Sequence, residues 1–367
     1  MSVFRPALDG LIPYEPGKPE EEVQRDLGLD RVVKLASNEG PWGPFPAALE
    51  ALQRNAATLN RYPDGGTYHL RNALAERHGV PPEEIVTGAG ADAIIGHLSV
   101  AALDPGDEVV TGWPSFISYV LDALKLGALP VRVPLRDQHL DLEAMLAAIG
   151  PRTKLVYIAT PNNPTGTMTG RDELDTYFER VPEHVLTVLD QAYLEYIDQP
   201  DYPDGIEEYA KRGRRVLVLR TFSKIYGLAG LRVGYGIGSA ETIAAIGKVR
   251  RAFDVSSAAQ VAALASLDGH AELERRRTLT AAGRLELAQS LRAHGLEPAG
   301  PAVANFLFSE VADDARPLFE ALLRQGAIVR PMAAFGAPGA LRITVGTPEE
   351  NAFFAEALAS VTAAGII

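Results

Sequence analysis

Between residues 84 and 237 the chain alternates short apolar runs with helix-forming segments, and no other feature restricts its fold as strongly. The runs fall at 84–87, 108–111, 129–133, 154–159, 185–189, 216–219 and 233–237. Each is too short for a stable helix, and most are apolar at successive positions rather than at alternate ones, as strands buried on both faces are. The segments between them read as helices. Residues 71–78 are amphipathic and are stopped by Gly79 and Pro81, and residues 93–102 follow the glycine-rich turn at 88–92. Strands separated by helical crossovers pair in parallel, so the pattern predicts an α/β fold with a mostly parallel seven-stranded sheet covered by helices on both faces.

The flanks read differently. Residues 1–35 form an N-terminal arm, because Leu11-Ile-Pro-Tyr-Glu-Pro-Gly-Lys-Pro19 is too rich in proline for a helix and has little to bury. Residues 36–260 make the large domain and 261–367 a smaller C-terminal α+β domain. The latter opens with a long, charge-studded helix over 271–294 and continues with strands at 304–308, 327–329 and 341–344. No internal repeat interrupts this order.

Composition removes several classes of function. A net charge of −12 disfavours nucleic acid and anionic membranes as partners. There are no cysteines, which rules out thiolate catalysis, disulfides and cysteine metal sites and fits a reducing cytoplasm. The start lacks the pattern of a signal peptide, and no run is long enough to span a bilayer. The expectation is a cytoplasmic protein without a bound metal.

Chemistry concentrates where the apolar runs end. Lys224 follows the run 216–219 within Thr221-Phe-Ser-Lys224, and a glycine-rich segment then carries Arg232. Desolvation at the end of a buried strand favours a neutral, nucleophilic amine, while hydroxyls and an arginine suit a phosphate. The run 185–189 ends in Asp190, with Tyr193 three residues on. An amine for covalent attachment, a phosphate pocket and a carboxylate for a pyridine nitrogen are what pyridoxal 5′-phosphate (PLP) requires. Gly88-Ala-Gly-Ala-Asp92, between a strand and a helix, could add phosphate-binding N–H groups, although alone it reads more readily as a tight turn with Asp92 as an ordinary N-terminal charge. It is no complete dinucleotide fingerprint, which counts against a nicotinamide enzyme. Asn163, in Thr160-Pro-Asn-Asn-Pro-Thr-Gly166, lies at the carboxyl end of the sheet, where open α/β folds bind ligands. Trp113 ends another run and could stack on a flat heterocycle there or pack in the core.

The ordered set of motifs resembles the fold type I PLP-dependent aminotransferases. It comprises Asn38-Glu-Gly-Pro-Trp-Gly-Pro44, Arg61-Tyr-Pro-Asp64, Gly90-Ala-Asp92, Pro161-Asn-Asn-Pro-Thr-Gly166, Asp190-Gln-Ala-Tyr193, Thr221-Phe-Ser-Lys224 and Leu231-Arg232. Within that group, Tyr14-Glu-Pro-Gly-Lys18, Ile328-Val-Arg-Pro-Met332 and the block from Leu341 to Asn351 are similar to the histidinol-phosphate aminotransferases. The resemblance implies a fold type I PLP-transferase in which Lys224 is the Schiff-base lysine and proton shuttle and Asp190 pairs with the pyridine nitrogen. Asn163 and Tyr193 would bond the phenolic oxygen, and Trp113 would take the stacking position. Gly90, Ala91, Asp92, Thr221, Ser223 and Arg232 would cradle the phosphate. Tyr62 would reach that phosphate from the other subunit of a homodimer. Tyr14, Arg330 and Arg342 would contact substrate, an amino donor or a 2-oxo acid acceptor.

The chain departs from the family pattern at Gly40, Trp42, Ala93 and Gln191. The changes near residue 40 and at Trp113 are expected to touch the substrate pocket, and Trp113-Pro-Ser-Phe116 is similar to relatives that prefer phenylalanine or tyrosine. Histidinol phosphate with 2-oxoglutarate is the first reading for the substrates, and an aromatic amino acid is the alternative. A PLP-dependent decarboxylase and a non-catalytic PLP sensor are the other readings, the latter disfavoured by the short arm and the acidic balance.

Overall fold

The structure is a computed structural model that describes residues 3–9, 11 and 17–365. Its strands are β1 (Val33–Lys34), β2 (Ile85–Gly88), β3 (Glu108–Trp113), β4 (Leu129–Pro134), β5 (Thr153–Ala159), β6 (Leu186–Asp190), β7 (Val216–Thr221), β8 (Gly234–Gly238), β9 (Phe306–Glu310), β10 (Ala327–Ile328), β11 (Arg330–Pro331) and β12 (Ala340–Thr344). Seven of them form one sheet in the order β2-β8-β7-β6-β5-β3-β4. The run from β7 to β4 is parallel throughout, and β8 alone lies antiparallel to its neighbours β7 and β2.

Both faces of this sheet are buried, as the unbroken apolar runs require. Along β5, Leu155, Tyr157 and Ala159 enter one hydrophobic cluster while Val156 and Ile158 enter the other. Along β7, Leu217 and Leu219 share the first cluster and Val216 and Val218 the second. The helix Ala91–Ala102 covers the first face through Ile94, Ile95 and Leu98. On the other face lies the helix Tyr68–His78, through Leu70 and Leu74.

The C-terminal unit has its own core and a three-stranded antiparallel sheet ordered β11-β12-β9. The helix His270–Ala293 runs between the two cores, with Leu273 in the large one and Leu287 and Leu291 in the small one. The run at 327–329 gives a strand as expected, and β10 pairs in parallel with β1, Val33 opposite Ala327, rather than with the three-stranded sheet. The end of the N-terminal segment therefore belongs physically to the small unit, whose core buries Val33 and Leu35. That segment also contains a helix, Glu20–Leu27, closed by Gly28 in the left-handed conformation. Among the described residues no helix is long and apolar enough to cross a membrane.

Candidate active site

The carboxyl ends of β5, β6 and β7 open on one side into a cavity of about 530 Å³, floored by Ala159, Asp190 and Thr221. Ending strands leave carbonyls, loops and helix N-termini facing one crevice, which is why ligands collect there. Lys224, half-buried, enters from the loop after β7, and its Nζ stands 5.4 Å from the centre of the Tyr193 ring. The Tyr193 hydroxyl accepts a hydrogen bond from Asn38 Nδ2 at 3.1 Å. Asn38 is itself fixed to the small unit, since its N–H donates to Thr344 Oγ1 at 3.0 Å and its carbonyl accepts from Asn305 Nδ2 at 3.1 Å.

Asp190 is buried, and burial pushes its carboxyl above the ordinary range, opposed by the Tyr119 hydroxyl, the Ala192 N–H and the Lys224 charge. Tyr119 donates to Oδ2 at 2.6 Å and Ala192 to Oδ1 at 3.0 Å. A cationic ring nitrogen placed against this carboxylate would offset the desolvation.

The residues expected around a phosphate also converge. Gly90 precedes the helix Ala91–Ala102 at φ +82°, leaving the first N–H groups of that helix without intrahelical partners. A Cβ on Gly90 would stand 2.5 Å from Arg232 Nη2, and one on Gly234 would stand 2.5 Å from the Ala91 nitrogen. Only glycines allow the guanidinium and β8 to approach the helix start this closely. Arg232, itself at φ 55°, donates to Ser223 Oγ at 3.2 Å, and the Ser223 N–H donates to Thr221 Oγ1 at 3.1 Å. Helix N–H groups, two hydroxyls and a guanidinium around one point fit a phosphate, and the lysine and buried carboxylate fit the rest of PLP.

The two asparagines of the loop after β5 divide their work. Asn162 accepts from Ser115 at 2.8 Å and donates to Thr165 at 2.9 Å, tying this loop to the one after β3. Asn163 lines the cavity, and its Oδ1 accepts from Arg342 Nη1 at 2.6 Å. Arg342 also reaches the Ala36 carbonyl at 2.7 Å. Arg330 lies directly across from Arg342 in the β11–β12 register, and both line the cavity beside Phe335. Gly17 approaches Arg330 closely, so the N-terminal segment reaches this side of the site. Tyr14 lies outside the described residues. Tyr62 is 83% exposed, away from the cavity, and stacks on Phe253 at 4.7 Å.

Trp113 is not brought to the cavity, which corrects the stacking expectation. It lines a separate groove between the large and small units, under the Arg132 guanidinium at 4.8 Å and against Gly336. From this stretch the cavity wall instead receives Phe116, the N-cap of the helix Ile117–Leu126. Helical phase after β3, rather than the end of the apolar run, would have singled it out. Tyr119, one turn further, Phe335 and Asn38 also line the cavity and had no role in the sequence reading. Gly40 and Trp42 also lie outside this cavity. Gly40 packs on the carbonyl of Lys224, and Trp42 faces Arg275 and Arg276. Gln191 points away as well, donating to Tyr202 and to the Pro203 carbonyl and accepting from Gly205 and Arg220.

A half-buried lysine, a buried carboxylate and a phosphate cradle at the carboxyl edge of this sheet define a fold type I PLP-dependent transaminase. The chain belongs to the family "Aminotransferase class I and II", whose model matches residues 30–358. It is 45% identical to a histidinol-phosphate aminotransferase of Moorella thermoacetica, over 98% of this chain and 93% of that protein. It is 44% identical to histidinol-phosphate aminotransferase 2 of Pseudomonas aeruginosa, over 99% and 98%. Among solved structures it is similar to the Sinorhizobium meliloti histidinol-phosphate aminotransferase in complex with pyridoxal-5′-phosphate, with a TM-score of 0.89, 30% identity and coverage of 99% and 98%. It is similar too to the Thermus thermophilus aspartate aminotransferase with maleate, with a TM-score of 0.85, 26% identity and full coverage of both chains.

Proposed function

We propose that this aminotransferase moves the amino group of histidinol phosphate to 2-oxoglutarate, in histidine biosynthesis, as a cytoplasmic homodimer. The observation that carries the substrate is the pairing of Arg330 with Arg342 across β11 and β12, beside the cavity that holds Lys224 and Asp190. One arginine suffices for a carboxylate, whereas two together suit a phosphate dianion. The names of the relatives agree with this reading. Phe335 and Phe116 supply an apolar wall for a flat ring. Trp113 and Gly40 stand outside this cavity, so neither supports a pocket shaped for an uncharged aromatic side chain.

PLP supplies an electron-withdrawing ring that stabilises negative charge at the substrate Cα. Lys224 would hold the cofactor covalently and then take and return the Cα proton through Nζ. Asp190 would keep the ring nitrogen protonated. Asn163, whose Oδ1 is engaged by Arg342, keeps Nδ2 as a donor for the ring oxygen, and the Tyr193 hydroxyl would be a second donor. Ala91, Asp92, Thr221, Ser223 and Arg232 would anchor the phosphate, with Tyr62 arriving from a partner subunit. The absence of cysteine is what supports the cytoplasm.

The test is single-turnover absorbance with histidinol phosphate, phenylalanine, tyrosine and aspartate, in wild type and in Arg330→Gln. Losing one charge-assisted contact should lower kcat/KM for histidinol phosphate by about ten- to a hundredfold and affect phenylalanine much less. Efficient turnover of phenylalanine with almost none of histidinol phosphate would transfer the assignment to the aromatic amino acids.

A further inference from the structure

Asp190 is only 8% exposed, and the tightest donor holding it is Tyr119, a residue 1% exposed in the first turn of the helix Ile117–Leu126. The Tyr119 ring has little freedom. It stacks on Tyr157 at 4.3 Å with planes 10° apart, and it meets Phe116 edge-on at 5.6 Å. One side chain thus joins the carboxylate at the back of the cavity to the aromatic on its wall. A buried carboxylate accepting a hydrogen bond from a fixed hydroxyl keeps both its charge and its rotamer.

We propose that Tyr119 is a positioning residue for the cofactor, holding Asp190 ionised and aimed at the ring nitrogen while setting the edge against which Phe116 rests. The proposal rests on the reading of Asp190 as the partner of that nitrogen. Tyr119 transfers no proton. Burial first, then the adjacent Asp190 charge, hold its phenol well above the ordinary value, so it stays a donor at every working pH. The other groups facing Asp190 are Lys224, which favours its ionised form, and Asp92, which opposes it. Without the Tyr119 hydroxyl, the carboxyl takes up its own proton more readily, and a neutral acid does not stabilise a protonated ring nitrogen.

The experiment compares PLP affinity of the apo-protein from pH 5 to 9, together with the visible absorbance of the bound cofactor, in wild type, Tyr119→Phe, Asp190→Asn and the double variant. Tyr119→Phe keeps the ring stack and removes only the hydroxyl. It should weaken PLP binding by about ten- to a hundredfold and raise the pH below which binding is lost. In the Asp190→Asn background the same change should add almost nothing, because the charge it serves is gone. Should Tyr119→Phe fold poorly, 3-fluorotyrosine at position 119, a more acidic donor, should move the pH limit downward. Wild-type affinity and pH limit in Tyr119→Phe, alongside a strong effect of Asp190→Asn, would overturn the role of Tyr119 alone. Wild-type behaviour of Asp190→Asn would overturn the reading of Asp190 and the proposal with it.

Discussion

His78 illustrates how much of this molecule's charge sits behind the active site rather than in it. Its Nε2 lies 3.0 Å from the Tyr235 hydroxyl, at the edge of a polar network in which Arg220 bonds both Gln191 and Asp204. Burial first, then the Arg220 charge, push the imidazole from 6.5 down to about 4. The folded state therefore holds His78 neutral while the unfolded chain already binds a proton below pH 6.5. Its contribution to stability is complete above that pH and is lost progressively as the pH falls towards 4, amounting to up to about 3 kcal/mol. Denaturant midpoints of wild type should drop across that window, and those of His78→Gln should drop less. Parallel profiles would remove His78 from the acid response. At this scale the sequence was readable where a residue's position depends on its chain neighbours, as for Lys224 after β7 or Asp190 at the end of β6, both of which line the cavity. It misled where the role depends on which way a turn throws the side chain. Trp113 and Phe116 are three residues apart, yet the cavity receives the second.

Among the elements, the sheet strands were legible because a strand covered on both faces must be apolar at successive positions, and little else in the chain has that texture. The helix His270–Ala293 was legible in extent and illegible in use. Its charge-studded sequence does not show that one of those charges, Arg276, is only 3% exposed. Arg276 donates to the Gly43 carbonyl at 2.7 Å, to the Ile225 carbonyl at 3.0 Å and to Glu272 at 2.8 Å, with Phe45 beneath it at 4.6 Å. Glu272 is a helical i,i+4 neighbour, but no local pattern reveals the Gly43 and Ile225 carbonyls, which are distant in the chain. Ile225 adjoins Lys224, so the helix between the two cores is tied to the lysine loop through one guanidinium. Arg276→Met would leave the Gly43 and Ile225 carbonyls without that donor, while the less buried Glu272 keeps its bonds from Arg275, and each unsatisfied buried carbonyl costs about 1–3 kcal/mol. Unfolding in denaturant should register that loss. Arg276→Lys should recover only part of it, since an ammonium cannot match the planar fork. A stability close to wild type in the Met variant would mean that water replaces the guanidinium.

The whole molecule, taken as one chain, leaves an aromatic surface unexplained. Tyr62 is 83% exposed, Phe253 46% and Tyr68 61%, with the Tyr62 and Phe253 rings stacked 4.7 Å apart. Phe253 also adopts φ 57°, a conformation unfavourable for a bulky residue. Exposed aromatic rings of this kind mark association surfaces, and closed two-fold dimers are the commonest outcome. Tyr62 does not reach the cavity of its own chain, which agrees with delivery to a second copy. The expected state is a homodimer by sedimentation, but the sharper test is complementation. Lys224→Ala and Tyr62→Ala are each expected to be nearly inactive alone. In a hybrid of the two, the site with the intact Lys224 lies on the Tyr62→Ala chain and draws its tyrosine from the Lys224→Ala chain, so it is complete. Random mixing should then restore about a quarter of wild-type activity, since half the dimers are hybrid and each has one sound site of two. If Tyr62 instead served its own chain, every site in the hybrid would carry a defect, and unfolding and remixing the two variants would restore nothing.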